Sequence, residues 1–455
     1  MSFDRRRLIA ALAGAATAGA ATPAFAARGE AENARRSSID AAPLGLHPDA
    51  VNDQSKALQR AIDRAAAEGA VLQLRAGTYR ASALQLPPNA AISGVAGATR
   101  IVMSGGASLL SATGSDNIAL RNLVFDGANI PLPEGRGLIH LAQGRALRIA
   151  DCEIAGAGRN GISLEAVDGE VTGNTINAAD VAIFSLDARG LRIAGNTVRG
   201  AGNGGILVWR SASGDDGTLV VDNRIDNIAN KSGGSGQHGN AVNVFRADNV
   251  QVRGNRISNA AFSAVRGNAA SNLQILGNTC TQIGEVALYA EFGFQGVMIA
   301  NNIVDGAALG ISVTNFDQGG RLAVVQGNLI RNLVARRPAG TDPHDGAGIG
   351  IGVEADTVVN GNVVENAPNI GIAAGFGKYL RDVTVNANVV RGANYGIAVS
   401  VAPGAGAAVI ADNMISDARI AAIIGMEWNK PVTGDLSQDG AAQYAQLSIG
   451  GNRVR

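Results

Sequence analysis

The sequence predicts an all-β parallel solenoid, and three observations predict it. A short phrase, apolar-x-Gly/Asp-Asn-x-apolar, recurs along the chain, as in Val171 to Ile176 and Ile193 to Val198. A second phrase, Gly-Ile-x-apolar, follows most copies, as at Gly161, Gly205, Gly310, Gly371 and Gly396. Among 455 residues, 61 are Gly and 37 are Asn, and aromatics make up only 4%. Gly and Asn are poor helix formers, so a helix bundle is excluded. Self-similarity at a short period is the mark of stacked repeats.

The remaining composition narrows the class further. Lys+Arg and Asp+Glu are each 38, so no net field selects nucleic acid or a membrane surface. At 46% hydrophobic and 17% charged, the chain carries enough apolar surface to fold. Two Cys cannot make a disulfide scaffold.

The first 26 residues read as an export signal. Arg5-Arg6-Arg7 precedes Leu8-Ile9, an Ala/Gly-rich stretch follows, and Pro23 to Ala26 offers a small-x-small cleavage site. Consecutive Arg before the apolar stretch resembles a twin-arginine signal. The mature chain is then expected in the periplasm or secreted, with the twin-arginine translocase as a partner during export. No membrane span is expected after cleavage, since no later segment reaches 18 consecutive apolar residues. Residues 27–39 read as a disordered leader and residues 40–110 as an N-terminal cap with the first coils. The repeats occupy residues 111–455.

Within the cap, Ala57, Leu58, Ala61, Ile62 and Ala65 share one face of a helix. Such a helix would cover the first coil, whose core and strand edges are otherwise open. The repeat proper is centred on Asn174, Asn196, Asn223, Asn255, Asn278, Asn302, Asn328, Asn362, Asn388, Asn413 and Asn452. Cys152 and Leu123 hold the same place in two earlier copies, giving thirteen rungs spaced by 22 to 39 residues. Each period holds at least two short strands. An Asn at a tight corner tolerates left-handed φ. Stacked coil on coil, Asn amides can bond along the axis, so these Asn read as structural. Cys152 and Cys280 lie five rungs apart, about 24 Å at strand spacing, too far for a bridge. Both thiols are expected to be free, with Cys280 in the core.

The opening, Val51 to Asp63, Val71 to Tyr79 and Leu84 to Gly94, resembles right-handed parallel β-helix proteins of the pectate-lyase-like superfamily. Arg75 stands where that family usually has Pro. With the export signal, the repeat resembles a twin-arginine-translocated β-helix family. The resemblance implies a right-handed parallel β-helix of thirteen or more coils with a capping helix. It also implies an acidic polysaccharide as partner, handled by a lyase, a galacturonan hydrolase or a C5-epimerase. The runner-up is a non-catalytic solenoid that binds glycan or has a structural role.

Motifs test those chemistries. Gly214-Asp215-Asp216 and Gln237-His238-Gly239 resemble pieces of the galacturonan hydrolase set, but they form no working pair. They precede different strands of the coil and should project from different corners. Asp215 and Asp216 read as a solvated turn. Thr341-Asp342-Pro343-His344-Asp345 resembles the Asp-Pro-His-Asp motif of alginate epimerases, in which the His takes the C5 proton; the alternative is a Pro-fixed turn. His344, Asp345 and His238 are thus the candidate catalytic residues. His47 and His140 read as structural.

Loop lengths locate a surface. The coils after Asn223 and Asn328 have 32 and 34 residues, and both insertions precede the Gly-Ile strand. They should leave one corner about 19 Å apart and wall a groove. Residues beyond the Gly-Ile strands suggest a floor of Asp187, Arg210, Arg246, Arg266, Glu291 and Asn315, with Trp209, Phe245 and Tyr289 nearby. Arg forks suit the carboxylates of uronic acids; the alternative is a solvated charge row paired internally. The expected substrate-binding residues are Arg210, Arg246, Arg266, Tyr289, Glu291, Asn315 and Trp209. No cofactor or protein-bound metal is expected. Calcium could replace one Arg, but there is no dense Asp cluster to hold it.

Overall fold

A computed structural model describes residues 37–234, 236–341, 346–439 and 441–455. The expected export signal, most of the expected leader and the Asp-Pro-His-Asp motif lie outside the described residues. The architecture is a right-handed parallel β-helix. Each typical coil has three strands, one more than the two phrases alone define. In the coil of Asn278 these are Leu273–Leu276, Thr279–Ile283 and Val286–Glu291. First strands stack into one 16-stranded sheet, and second and third strands form a 28-stranded one. The 16 strands are the thirteen rungs plus three earlier coils. The first of these, Ser38–Asp40, pairs in parallel with Val71–Gln73, so the stack already includes Ser38 and Ile39 of the expected leader.

Alternation within each strand sends every second side chain inward. Ile154, Ile176, Val198, Ile225, Ile257, Cys280 and Val304 form one such file and are buried. Cys152 and Cys280 are both free and buried, and burial pushes each thiol up to about 12.

The Asn ladder is continuous from Asn174 to Asn452. In each interior member, Oδ1 accepts from the backbone N–H and the Nδ2 of the preceding Asn. Its own Nδ2 donates to the next Oδ1 and to a carbonyl of the coil before. For Asn196 the acceptors are Asn223 Oδ1 at 3.0 Å and Val171 O at 2.8 Å. Its donors are Asn174 N at 3.0 Å and Nδ2 at 2.9 Å. All four bonds open to an amide are made, which is why it can be fully buried. Cys152 receives the ladder through its backbone N–H but has no amide to extend it.

The left-handed residue is not the ladder Asn, which corrects the expectation from sequence. It is the residue before: Gly195 has φ +63° and Asp222 +56°. That residue turns the corner, so the Asn can keep ordinary φ and aim its amide inward.

Both ends are closed. Helix α1, Ser55–Ala67, buries Leu58, Ala61, Ile62, Ala65 and Ala66 against the first coils. At the other end Ala421–Glu427 and Lys430–Asp435 form an antiparallel hairpin. A short helix follows, with Leu436 buried on the last coil. The antiparallel partner occupies the outer edge of the last third strand, so no further parallel strand can add there. Among the described residues, no helix is long and apolar enough to cross a membrane.

Candidate glycan-facing site

The third strands present an outward face, and the two insertions rise beside it. Second strands end at Ile228 and Arg331, and third strands resume at Asn240 and Ile349, so both loops leave the same corner. They do more than wall a groove, because they meet. A Cβ on Gly340 of the later loop would lie 3.4 Å from the Gly234 carbonyl of the earlier one.

The expected floor is not a single row. Phe245 pairs with Asn268, and Asn268 with Glu291. Arg266 pairs instead with Asn243 and Tyr289. It therefore lies three residues earlier in its strand than Arg246 does in its own, and Glu291 lies one residue earlier. The third strand of that coil is Val265–Asn268, so Arg266 lies inside the strand and not at the corner beyond it. Asp187, Arg246 and Asn315 do share the corner, each with positive φ.

The two arginines consequently have different neighbours. Arg266 is largely buried. It donates from Nε to Glu291 Oε1 at 2.7 Å and from Nη2 to Oε2 at 2.9 Å. Its Nη1 donates to Gly236 O at 3.0 Å and lies 3.5 Å from Glu285. Arg337 of the later loop reaches the same Glu285 at 3.0 Å and donates to Gly346 O at 2.8 Å. Asn268 Nδ2 donates to Glu291 at 3.0 Å. One buried network of two carboxylates and two guanidinium groups thus anchors both loops. Arg266 and Glu291 serve this network and do not form the open floor expected of them. Tyr289 lies under Arg266, with the guanidinium 5.0 Å from its ring centre, and burial raises its phenol above the usual range.

The preceding coils are built differently. Phe184, Trp209 and Phe245 form a ladder of edge-to-face rings, with centroids 5.5 and 5.6 Å apart. Trp209 Nε1 donates to Asn243 Oδ1 at 2.9 Å, which fixes the indole. Arg246 is exposed, with its guanidinium 4.7 Å from the Phe245 centroid. It commits one donor, Nη1 to Ser211 O at 3.2 Å. Ser211 sits on a bulge between Trp209 and Gly214, where its N–H and hydroxyl donate to the Asp187 carboxylate at 2.9 and 2.8 Å.

Arg210 turns back toward the body, donating to Ala188 O at 3.4 Å and lying 4.0 Å from Asp216. Asp216 is therefore not on a solvated turn. It is buried, and burial raises its carboxyl above the usual range. Asp215 is exposed, as expected, and accepts from Asn249 at 2.6 Å.

His238 is half-buried, two residues beyond the Gly236 carbonyl that binds Arg266. Asn315 starts a short 3-10 turn, and its Oδ1 accepts from Phe292 N at 3.1 Å. His344 and Asp345 lie outside the described residues. Sequence reasoning missed Phe184, Asn243 and Glu285, none of which belongs to a motif. It also missed Glu354, buried behind Asn315 and accepting from Phe316 N at 2.7 Å, whose carboxyl burial raises to about 7. Among the described residues no cluster of metal ligands occurs.

Two surface depressions lie on other faces. One of about 310 Å³ is lined by Arg199, Arg224 and Asp226, and one of about 550 Å³ by Met298, Leu322 and Val358. Outside the stretch that the two loops cover, the third-strand face is open, suited to a ligand that lies along it.

Comparisons with known proteins agree with this architecture. No curated protein matches the chain. The bacteriophage Phi29 gene product 12 N-terminal fragment is 15% identical over 92% of this chain and 72% of that one, with a TM-score of 0.53. The A-module of Azotobacter vinelandii mannuronan C-5 epimerase AlgE4 is 19% identical over 64% of this chain and 94% of that one, with a TM-score of 0.49. The tailspike of E. coli bacteriophage HK620, in complex with a pentasaccharide, is 12% identical over 89% and 76%, with a TM-score of 0.47. At such identities the likeness is one of fold. The model of the right-handed β-helix region matches residues 95–225 and 211–399, and the chain belongs to that family.

Proposed function

We propose that this chain is an exported β-helix that binds an acidic polysaccharide along its third-strand face. The observation that carries the reading is the Phe184–Trp209–Phe245 ladder with Arg246 stacked at its end. Aromatic faces stack on sugar rings, and an exposed guanidinium can fork a uronate carboxylate. Arg246 has donors to spare for this, whereas Arg266 is already bound to Glu291. Export by the twin-arginine translocase to the periplasm or beyond rests on Arg5 to Arg7 and the stretch that follows.

The test is calorimetric titration of the mature protein with alginate and polygalacturonate. Trp209→Ala and Arg246→Ala should each weaken binding about tenfold or more, the scale of one lost contact of about 1.4 kcal/mol. Unchanged affinity in both variants would remove the reading.

A catalytic version, a lyase or C5-epimerase, has one specific support. His238 lies two residues beyond the Gly236 carbonyl that Arg266 holds, and its imidazole is the group that could take a C5 proton. His344 and Asp345 would complete that set. Against it stands Arg266, whose charge is met by Glu291 and Glu285 and so is not free to stabilise an enolate. Absorbance at 232 nm would detect an unsaturated lyase product, and proton NMR would detect epimerisation.

A further inference from the structure

Both tryptophans, and every described phenylalanine that is not fully buried, lie on the third-strand face or its trailing corner. Phe125, Phe262 and Phe294 are core residues at 0 or 1% exposure. Phe184 and Phe245 flank Trp209. Phe292 and Phe376 stand at the corner place of Arg246, two residues beyond the inward residues Ala290, Ala374 and Val244. Phe316 follows Asn315 at that corner and is covered by Arg381, 4.2 Å from its centre. In a chain only 4% aromatic, this is a strong concentration.

The line ends in a built platform. Trp428 occupies the turn of the closing hairpin with φ +55°, a conformation that favours Gly and is an outlier for a bulky side chain. Its six-membered ring lies flat on Gly377, where a Cβ would come within 2.4–2.5 Å of three ring carbons. Phe376 and Tyr379 meet it edge-on, with centroids at 5.1 and 6.0 Å. Yet Trp428 remains 44% exposed and Phe376 39%. Glycine backbone covers one side of the indole while the residue as a whole stays exposed. Two of the chain's four lysines stand beside it: Lys378, with Nζ 5.6 Å from the Tyr379 ring, and Lys430, opposite Glu427 in the hairpin. Backbone strain kept at an exposed aromatic points to function more than to packing.

We infer that Trp428, Phe376 and Lys378 form a second anchoring subsite for the same acidic polysaccharide. The polymer then lies lengthwise along the rod from Trp209 to Trp428, past Phe292 and Phe316. Six coil steps separate the strand of Trp209 from that preceding Phe376 and Gly377, on which the Trp428 ring lies, about 29 Å at strand spacing. Only a chain long enough to span them engages both, and the second contact is then intramolecular, so affinity rises steeply with polymer length. The inference rests on the reading of Trp209 as the first subsite.

The experiment compares polymeric alginate with alginate trisaccharide on four proteins: unaltered, Trp209→Ala, Phe376→Ala and Trp428→Gly. The last suits the left-handed turn, and an unchanged Tm would show that the hairpin is intact. Trp428→Gly and Phe376→Ala should each weaken polymer binding about tenfold or more, the low end of what a linked second site supplies, and cut the polymer-to-trisaccharide ratio equally. Equal polymer affinity in both variants overturns the second subsite while leaving Trp209 standing. Polymer affinity that ignores Trp209→Ala but falls in Trp428→Gly sinks the Trp209 reading, and with it the two-anchor arrangement. No preference of the unaltered protein for polymer over trisaccharide also overturns the inference.

Discussion

The coils carrying Arg246 and Arg266 are neighbours on one sheet, and they are organised in opposite ways. In the first, the aromatic rings stay near the surface and Arg246 stands at a left-handed corner, exposed. In the second, Arg266 projects from within the strand, three places earlier, and two loops close over it with Glu285, Glu291 and Arg337. The residue type is the same, and the coil spacing is ordinary. What differs is register. The corner position of Arg246 leaves its guanidinium exposed, while the strand position of Arg266 under two loops makes it a structural cation. A list of arginines therefore overstates a binding surface unless the register is known.

The contrast can be broken most forcefully at Arg266. Arg266→Ala should destabilise the fold by about 3–5 kcal/mol, because it leaves the buried Glu291 carboxylate without its guanidinium and Glu285 with Arg337 alone. Chemical denaturation measures this, and a loss below about 1 kcal/mol would mean that the network is solvated. Replacing Arg266 and Glu291 together by Met and Leu should cost far less, since no charge is then stranded.

A second test uses Glu354, which sits in the same file as Glu291 but is met by the Phe316 N–H in place of an arginine fork. Burial keeps it protonated up to about pH 7. The folded chain holds this proton between about pH 4.5 and 7, where the unfolded chain has lost it. Stability from this site is thus full below pH 4.5 and falls as pH rises to about 7, by about 3 kcal/mol at most. Glu354→Gln should flatten that slope in a Tm–pH series. An identical slope in the variant would assign the effect elsewhere.

The ladder offers a region where both kinds of coil are alike. Asn278→Ala strips the acceptor from Asn255 N and Nδ2 and the donor from Val252 O, all buried. A loss of about 2 kcal/mol is expected, within the range for unsatisfied buried groups. Asn452→Ala, at the partly exposed end, should cost less. Equal losses would show that burial is not what makes the ladder count.

The smallest effect sharpens the comparison most. Arg246→Ala should change stability by no more than about 0.5 kcal/mol, as an exposed substitution does. It should still weaken polyuronate binding. A large loss of stability there would place Arg246 with Arg266 as a structural residue.

The rod was legible in the sequence because its signals are local and periodic. Each Asn rung, the Gly-Ile phrase and the helix face of Leu58 and Ile62 obey spacings that any one coil reveals. The corner of the two insertions was legible for the same reason, since it depends only on counting residues between phrases. The division of the coil into three strands, the left-handed φ of the residue before each Asn, and the C-terminal hairpin were not signalled by any repeat.

The site was legible only in part. Trp209, Phe245 and Arg246 were visible as residues near the Gly-Ile strand. Arg266 and Glu291 lie within their strands, before the corner where Arg246 stands, and only the pairing of coil with coil tells those places apart. Glu285, Arg337 and Trp428 come from separate coils or a loop and belong to no motif.

By itself, then, the sequence determined that the chain winds, at least thirteen times, and where it bulges, because hydrophobic alternation and corner chemistry act between near neighbours. Tertiary structure alone decided which charges are spent inside and which remain at the surface. Coils some 25 residues apart in sequence are in contact in space, and a shift of three residues against the neighbour exchanges a corner for a strand. No pattern within one coil encodes that relation; it is set when coils stack and loops fold down on them.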